Sequence, residues 1–167
     1  MSKRFLAIVD PWANPPAENT KEHPMLASDS EIQYQLIYNQ LPRLKPLFDD
    51  IIVIDSGHPP HPMFDELPSV VTVLGEYLSD KQDWDAWLCG FHYGRCIHLK
   101  INEVIEECGW DYNRFHIIQN LSFMFPGDKR KDTRTWKINF NSMRLTKEYY
   151  WDYVDSLIPA LENHFKL

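Results

Sequence analysis

A chain of 167 residues with 44% hydrophobic and 25% charged side chains has the length and apolar content for about one packed domain, which excludes wholesale disorder. Its net charge of -7 recommends neither nucleic acid nor an anionic membrane surface as a partner, the local exception being the basic run Lys129-Arg130-Lys131 with Arg134. No apolar run approaches the ~18 residues of a membrane span, Met1 to Val9 has no signal-peptide pattern, and Cys89, Cys96 and Cys108 include no CxxC pair, so a soluble, cytoplasmic protein with free thiols is expected.

Phe5 to Val9 is a short apolar, β-branched run that stops at Asp10-Pro11, because proline has no amide for a sheet ladder; this is the first expected strand. Trp12 to Ala27 is proline-rich, without periodicity, and reads as a long loop. Ser28 and Glu31 have capping-box spacing, and Ile32, Leu36, Ile37 and Leu41 follow at helical intervals until Pro42 and Pro46. Ile51 to Ile54 reads as a strand buried on both faces, and Ser56 to Pro68, with four prolines and two histidines, as the loop after it. Val70 to Leu74 and Trp84 to Gly90 are the third and fourth expected strands, separated by at most two helical turns. Ile97, Ile101, Val104, Ile105 and Cys108 share one face of a helix over 94–108, which Gly109 ends. Phe115 to Ile118 is a fifth strand, Trp136 to Phe140 a candidate short sixth, and Thr146 to His164 a closing helix with a kink expected at Pro159; residues 123–145 carry no decisive pattern. Strands alternating with helices predict an α/β, Rossmann-like three-layer sandwich on a mostly parallel five- or six-stranded sheet, a single domain over 1–167.

Ligands of such sheets bind beyond the carboxyl ends of the strands, where strand order reverses. Asp10 closes the first strand, Asp55, His58 and His61 follow the second, and His92 to Cys96 link the fourth to its helix. A thiol in the first turn of a helix meets unpaired amides and the positive end of the macrodipole, which favour its thiolate, and His92 and Arg95 add donors nearby. The alternative for Cys96 is packing behind the sheet as a small apolar side chain. Asp10 likewise suits either a turn former or a general base in the crevice of a nucleophile. Trp12, directly after Asp10, is placed to wall a flat ligand, and Phe91, Tyr93 and Arg95 complete the candidate ligand contacts.

Strand-Asp10, then strand-Asp55-x-x-His58-Pro-x-His61, then Gly90-Phe-His-Tyr-Gly-Arg-Cys96 opening a helix, resemble the isochorismatase-like cysteine hydrolases, which include the nicotinamidases. The resemblance covers roughly residues 4–122. It implies Cys96 as a nucleophile that forms a thioester with a carbonyl carbon, Asp10 as proton acceptor, and an oxyanion hole in the amides just before Cys96. It also implies a divalent metal (Zn, Mn or Fe) on Asp55, His58 and His61, which otherwise form a rigid proline-flanked turn, and a small-molecule substrate acted on by an oligomer of the chain.

The sequence departs from that pattern at three places. Ser69 to Tyr77, where the family's triad lysine is expected, has no lysine, and the nearest is Lys81. The stretch between His61 and the fourth strand is short, and the metal motif is one residue longer than in nicotinamidases. Two readings follow: a cysteine hydrolase of a small amide or ester-like substrate, with His92 as the candidate substitute for the lysine, or a catalytically reduced relative that binds a small molecule or acts by oligomerising. A metal-binding protein centred on Asp55, His58 and His61 is a third.

Overall fold

The strands follow from short apolar runs whose alternate side chains enter two separate cores. The structure is a computed structural model that describes residues 2–14, 21, 26–55, 57–71, 74–91, 96–123, 135–136 and 157–165. Its strands are β1 (Arg4–Val9), β2 (Asp50–Asp55), β3 (Ser69–Val71), β4 (Asp85–Phe91), β5 (Phe115–Phe123) and β6 (Thr135–Trp136), and its α-helices are α1 (Leu26–Leu44), α2 (Leu74–Leu78), α3 (Cys96–Cys108) and α4 (Leu157–His164). They form a single sheet in the order β3-β2-β1-β4-β5-β6, and every pairing is parallel. A parallel pair needs a crossover, so the helices lie on the two faces.

On one face Leu6, Ile8, Ile51, Val53, Trp87 and Cys89 pack with Leu36, Ile37, Leu41 and Leu44 of α1 and Leu157, Ile158 and Leu161 of α4. On the other, Phe5, Ala7, Val9, Ile52, Ile54, Ala86 and Leu88 pack with Leu78 of α2 and Ile97, Ile101 and Val104 of α3. This is the expected three-layer α/β arrangement. No described helix is long and apolar enough to cross a membrane.

The differences from expectation are local. The third strand ends at Val71, and Leu74 opens α2. The first helix starts at Leu26 and holds Pro42 in its last turn. Proline at that point has no amide for the Tyr38 carbonyl, and the helix ends two residues later at Leu44. The fifth strand runs on to Phe123, with a register shift opposite β4: Leu88 pairs with Ile117 but Gly90 with Ser122. The Ser122 hydroxyl donates to the Ile118 carbonyl across this irregularity (2.7 Å). Pro159 is the third described residue of α4 (Leu157–His164), and the turn before it, where the expected kink would show, lies outside the described residues. The remainder of the expected closing helix, residues 146–156, and residues 137–140 of the expected sixth strand lie outside the described residues.

Candidate active site

After β1 the chain builds β2 and β3 to one side and then returns to place β4 on the other, so strand order reverses between β1 and β4. Side chains at the carboxyl ends of this pair face a shared crevice. Asp10 leaves β1 with φ 47°, the only positive φ of a non-glycine among the described residues, and it is buried to 1% exposure. Asp tolerates this left-handed conformation better than most residues. Its backbone is held from both sides: Asp10 N donates to Ile54 O of β2 (2.9 Å), and Trp12 N donates to Asp10 O (2.8 Å). Gly90 lies against the same turn. A Cβ there would stand 2.6 Å from Val9 O, and its φ of 101° also favours glycine.

The loops after β1 and β2 are joined by backbone bonds. Trp12 bridges Pro60 in antiparallel fashion, Ala13 N donates to Pro59 O (3.0 Å) and His61 N donates to Pro11 O (2.6 Å). This seats the Trp12 indole 5.2 Å from the Phe91 ring and 5.2 Å from the His58 ring, centroid to centroid. Cys96, the first residue of α3, packs against Trp12 and Phe91.

The Cys96 thiol hydrogen-bonds the Asp10 carboxylate. Burial, then the Asp10 charge and that hydrogen bond, push the thiol up to about 12 from its ordinary 9.0, while the α3 amide and Lys100 act weakly the other way. This corrects the expectation of a helix-lowered thiol. The macrodipole effect is modest beside loss of hydration and a neighbouring acidic group, so Cys96 rests as the thiol.

Two groups at the site were not foreseen. Lys100 lies one helical turn beyond Cys96, a placement readable from the four-residue spacing; its Nζ also bonds Glu103 Oε2 (3.0 Å). Tyr34 comes from the middle of α1, and its buried hydroxyl has the Asp10 carboxylate, Ser30 and the Trp12 backbone as polar neighbours. Burial raises its pKa, so it stays a neutral phenol. No local sequence signal connects Tyr34 with Asp10. His92, Tyr93 and Arg95, and the amides expected to form an oxyanion hole, lie outside the described residues.

Comparison with solved structures matches the fold that carries these residues. An isochorismatase-like hydrolase from Alkaliphilus metalliredigens superposes with a TM-score of 0.57 at 12% identity, over 95% of this chain and 99% of that one. A protein assigned as an isochorismatase from Burkholderia xenovorans gives 0.56 at 13% identity, over 98% and 89% of the two chains. A nicotinamidase from Bacillus subtilis gives 0.50 at 13%, over 94% and 97%. The chain has the isochorismatase-like fold. No family profile and no curated protein sequence matches it.

Within the isochorismatase-like fold, two further expectations resolve on geometry. Lys81 does not approach the Cys96/Asp10 pair. Its Nζ bonds Tyr77 O (3.0 Å) and Asp80 Oδ1 (2.9 Å) and lies 4.1 Å over the Tyr77 ring. The Tyr77 hydroxyl in turn donates to Asp50 at the start of β2 (2.6 Å), the opposite end of the sheet.

The residues suggested for a metal also have other roles. Asp55 Oδ1 accepts from Gly57 N and His58 N (2.8 and 2.9 Å), forming an Asx turn. His58 packs its ring against Trp12, whereas His61 accepts from Met63 N through Nδ1 (3.2 Å) and places Nε2 2.9 Å from Glu31. Among the described residues no three His, Cys, Asp or Glu side chains converge as a metal site. The set as placed does not fit the ion: three ligands must present lone pairs to one point, and these side chains do not converge on one. Tenfold excess Zn2+ or Mn2+ is therefore expected to leave the melting temperature unchanged. A rise of several degrees, with one metal per chain by elemental analysis, would overturn this.

Proposed function

We propose that the chain is a divergent isochorismatase-like cysteine hydrolase that cleaves a small amide or ester-like bond, with Cys96 as nucleophile and Asp10 as its base. The observation that carries this reading is the half-buried Cys96 thiol against the buried Asp10 carboxyl group at the strand-order reversal between β1 and β4. In the first step Sγ attacks the carbonyl carbon while its proton passes to the Asp10 carboxylate. The tetrahedral intermediate then expels the amine or alcohol, which takes that proton, and a thioester remains. Water, giving a proton to Asp10, hydrolyses the thioester to the acid and frees the thiol, which regains the proton.

A protonated resting thiol suits this order of events. The carboxylate already accepts the thiol hydrogen, so transfer and attack proceed together without a standing thiolate. Trp12 and Phe91 form the apolar wall of the crevice, and exclusion of water strengthens the electrostatic coupling of the pair. Tyr34 stays a neutral phenol and so adds no further negative charge beside Asp10.

The second reading, a small-molecule-binding or self-associating relative without turnover, is favoured by one observation: a thiol pushed up to about 12 with Lys81, the lysine nearest the third strand in sequence, tied at the other end of the sheet. A panel of small aliphatic and heteroaromatic amides and esters, assayed with wild type and Cys96→Ser, separates the two. Hydrolysis by wild type with at least a ~10³-fold loss in Cys96→Ser, and an acyl adduct at Cys96 by peptide mass spectrometry, is the expected result. Turnover that survives in Cys96→Ser would exclude Cys96 as the nucleophile. Binding of a panel member that is equal in both proteins, without hydrolysis in either, would establish the second reading.

A further inference from the structure

A charged stripe on α3 begins at the thiol. Cys96, Lys100 and Glu103 are four and three residues apart, so their side chains follow one another along one side of the helix, next to the buried face formed by Ile97, Ile101 and Val104. Helical Cα–Cβ bonds tilt toward the amino end, so the Lys100 stem leaves its backbone over the turn that begins with Cys96. At rest its ammonium is held by Glu103 Oε2, from the following turn, at 3.0 Å. The two partners are unequally buried, the Lys100 side chain being 12% exposed and that of Glu103 47%. An ion pair with a carboxylate this exposed is weak and readily exchanged, whereas a cation largely withdrawn from water interacts strongly with an anion formed beside it.

The resting sulfur is uncharged and gives the ammonium no reason to leave Glu103. That changes in the first step proposed for Cys96, when the thiol proton passes to the Asp10 carboxyl group and the sulfur takes the negative charge. Among the described residues the charged groups that act on the thiol are Asp10, which disfavours its ionisation, and Lys100, which favours it. A thiolate at Cys96 therefore has one cation to answer it, a single helical turn away on the same element.

We infer that Lys100 is the cation of the Cys96 site, held on Glu103 while the sulfur is protonated and transferred to the sulfur as its proton leaves. A flexible four-carbon stem with a freely rotating ammonium suits a contact exchanged between partners on adjacent turns. The ammonium gives up no proton. As the S–C bond forms, the negative charge passes from sulfur to the carbonyl oxygen, and Nζ returns to Glu103. The inference rests on the nucleophile proposed above and names what stabilises its charged form.

Iodoacetamide labelling of Cys96 in the full chain between pH 7 and pH 10, read by peptide mass spectrometry with Cys108 as reference, tests this without turnover. Lys100→Met is expected to label at least about fivefold more slowly than wild type at pH 9, and Lys100→Arg to stay within about twofold of it, because that exchange keeps the charge. Glu103→Gln is expected to label at least about threefold faster, and that gain to vanish in the double variant Lys100→Met/Glu103→Gln. A gain that survives in the double variant would show Glu103 acting on the sulfur by its own charge and would overturn the exchange. Lys100→Met that labels like wild type, or Glu103→Gln that labels no faster, would overturn it too. If Lys100→Met fails to fold, Lys100→Gln takes its place in both arms. Hydrolysis that persists while these labelling differences are absent removes Lys100 and leaves Cys96 as nucleophile, whereas the expected labelling pattern without hydrolysis of any amide or ester leaves Lys100 and removes turnover.

Discussion

Asp10→Asn is expected to make Cys96 more reactive toward iodoacetamide while lowering turnover by ~10²–10⁴-fold, the range for removal of one general base. In a hydrolase with a preformed thiolate, loss of a neighbouring carboxylate has no reason to separate labelling from turnover in this way. Here the Asp10 charge and hydrogen bond help hold the thiol at about 12, so removing them lowers its pKa and raises the thiolate fraction at pH 8–9. Asn is the informative replacement because it tolerates the φ of 47° that Asp10 adopts, leaving the turn intact. Labelling rate against pH, read by peptide mass spectrometry with Cys89 and Cys108 as internal references, gives the answer directly. A wild-type Cys96 that titrates below 9, or one that labels more slowly in Asp10→Asn, would refute the description of the pair.

The same shift sets a direction for stability. A thiol whose folded pKa is raised from 9.0 to about 12 stays protonated in the fold where the unfolded chain has already released its proton. Its contribution is complete below about pH 9 and is lost as pH rises toward 12, so urea unfolding at pH 8 and pH 10 brackets the onset of the loss. Asp10→Asn narrows that window from above.

Gly90→Ala is expected to destabilise the chain by about 2–6 kcal/mol, from ~1–3 kcal/mol for a side chain at φ 101° and ~1–3 kcal/mol for overpacking. The contact is with backbone: the added Cβ meets Val9 O at 2.6 Å and Val9 N at 2.9 Å, and no rotamer change relieves it. Relief requires β1 and β4 to separate at the point where Asp10 and Cys96 meet, so activity falls with stability. Gly57→Ala is the matched control, since its φ of 92° carries a similar conformational cost with nothing within 4 Å of the new methyl. A Gly90→Ala protein no less stable than Gly57→Ala in urea would show that the close approach to Val9 has no energetic weight.

The strands of the inner sheet were legible because burial on both faces leaves its mark as unbroken apolar runs, Phe5 to Val9 and Ile51 to Ile54 being the clearest. The third strand was read as reaching Leu74, which opens α2 instead, because an apolar residue after a β-branched run suits a strand and a helix turn equally and no local signal separates the two. Asp10 and Cys96 were singled out because one follows the first strand and the other opens the helix after the fourth, and the topology converts those positions into proximity. The protonation state of the pair was not legible: it depends on how deeply Cys96 is buried and how near the Asp10 carboxylate comes, and neither is a property of neighbouring sequence. Tyr34 was missed for the same reason, whereas Lys100 was readable from its spacing. The metal on Asp55, His58 and His61 was implied by the family resemblance, and the backbone and carboxylate partners of His61, Met63 and Glu31, appear only in three dimensions.

The register of the two central strands also bears on how the molecule assembles. Arg4 pairs with Asp85 and Val9 with Gly90, so the ladder that brings the crevice together closes a loop holding α1, β2, β3 and α2. Pairing of this kind is slow, because loop-closure entropy is lost before the contacts form. A nascent chain released before β4 has emerged holds Asp10 but no Cys96, and a collapsed intermediate without the β1–β4 ladder holds both without joining them. The candidate site is thus a late product of folding, and an unfolding event that parts these two strands dismantles it at once.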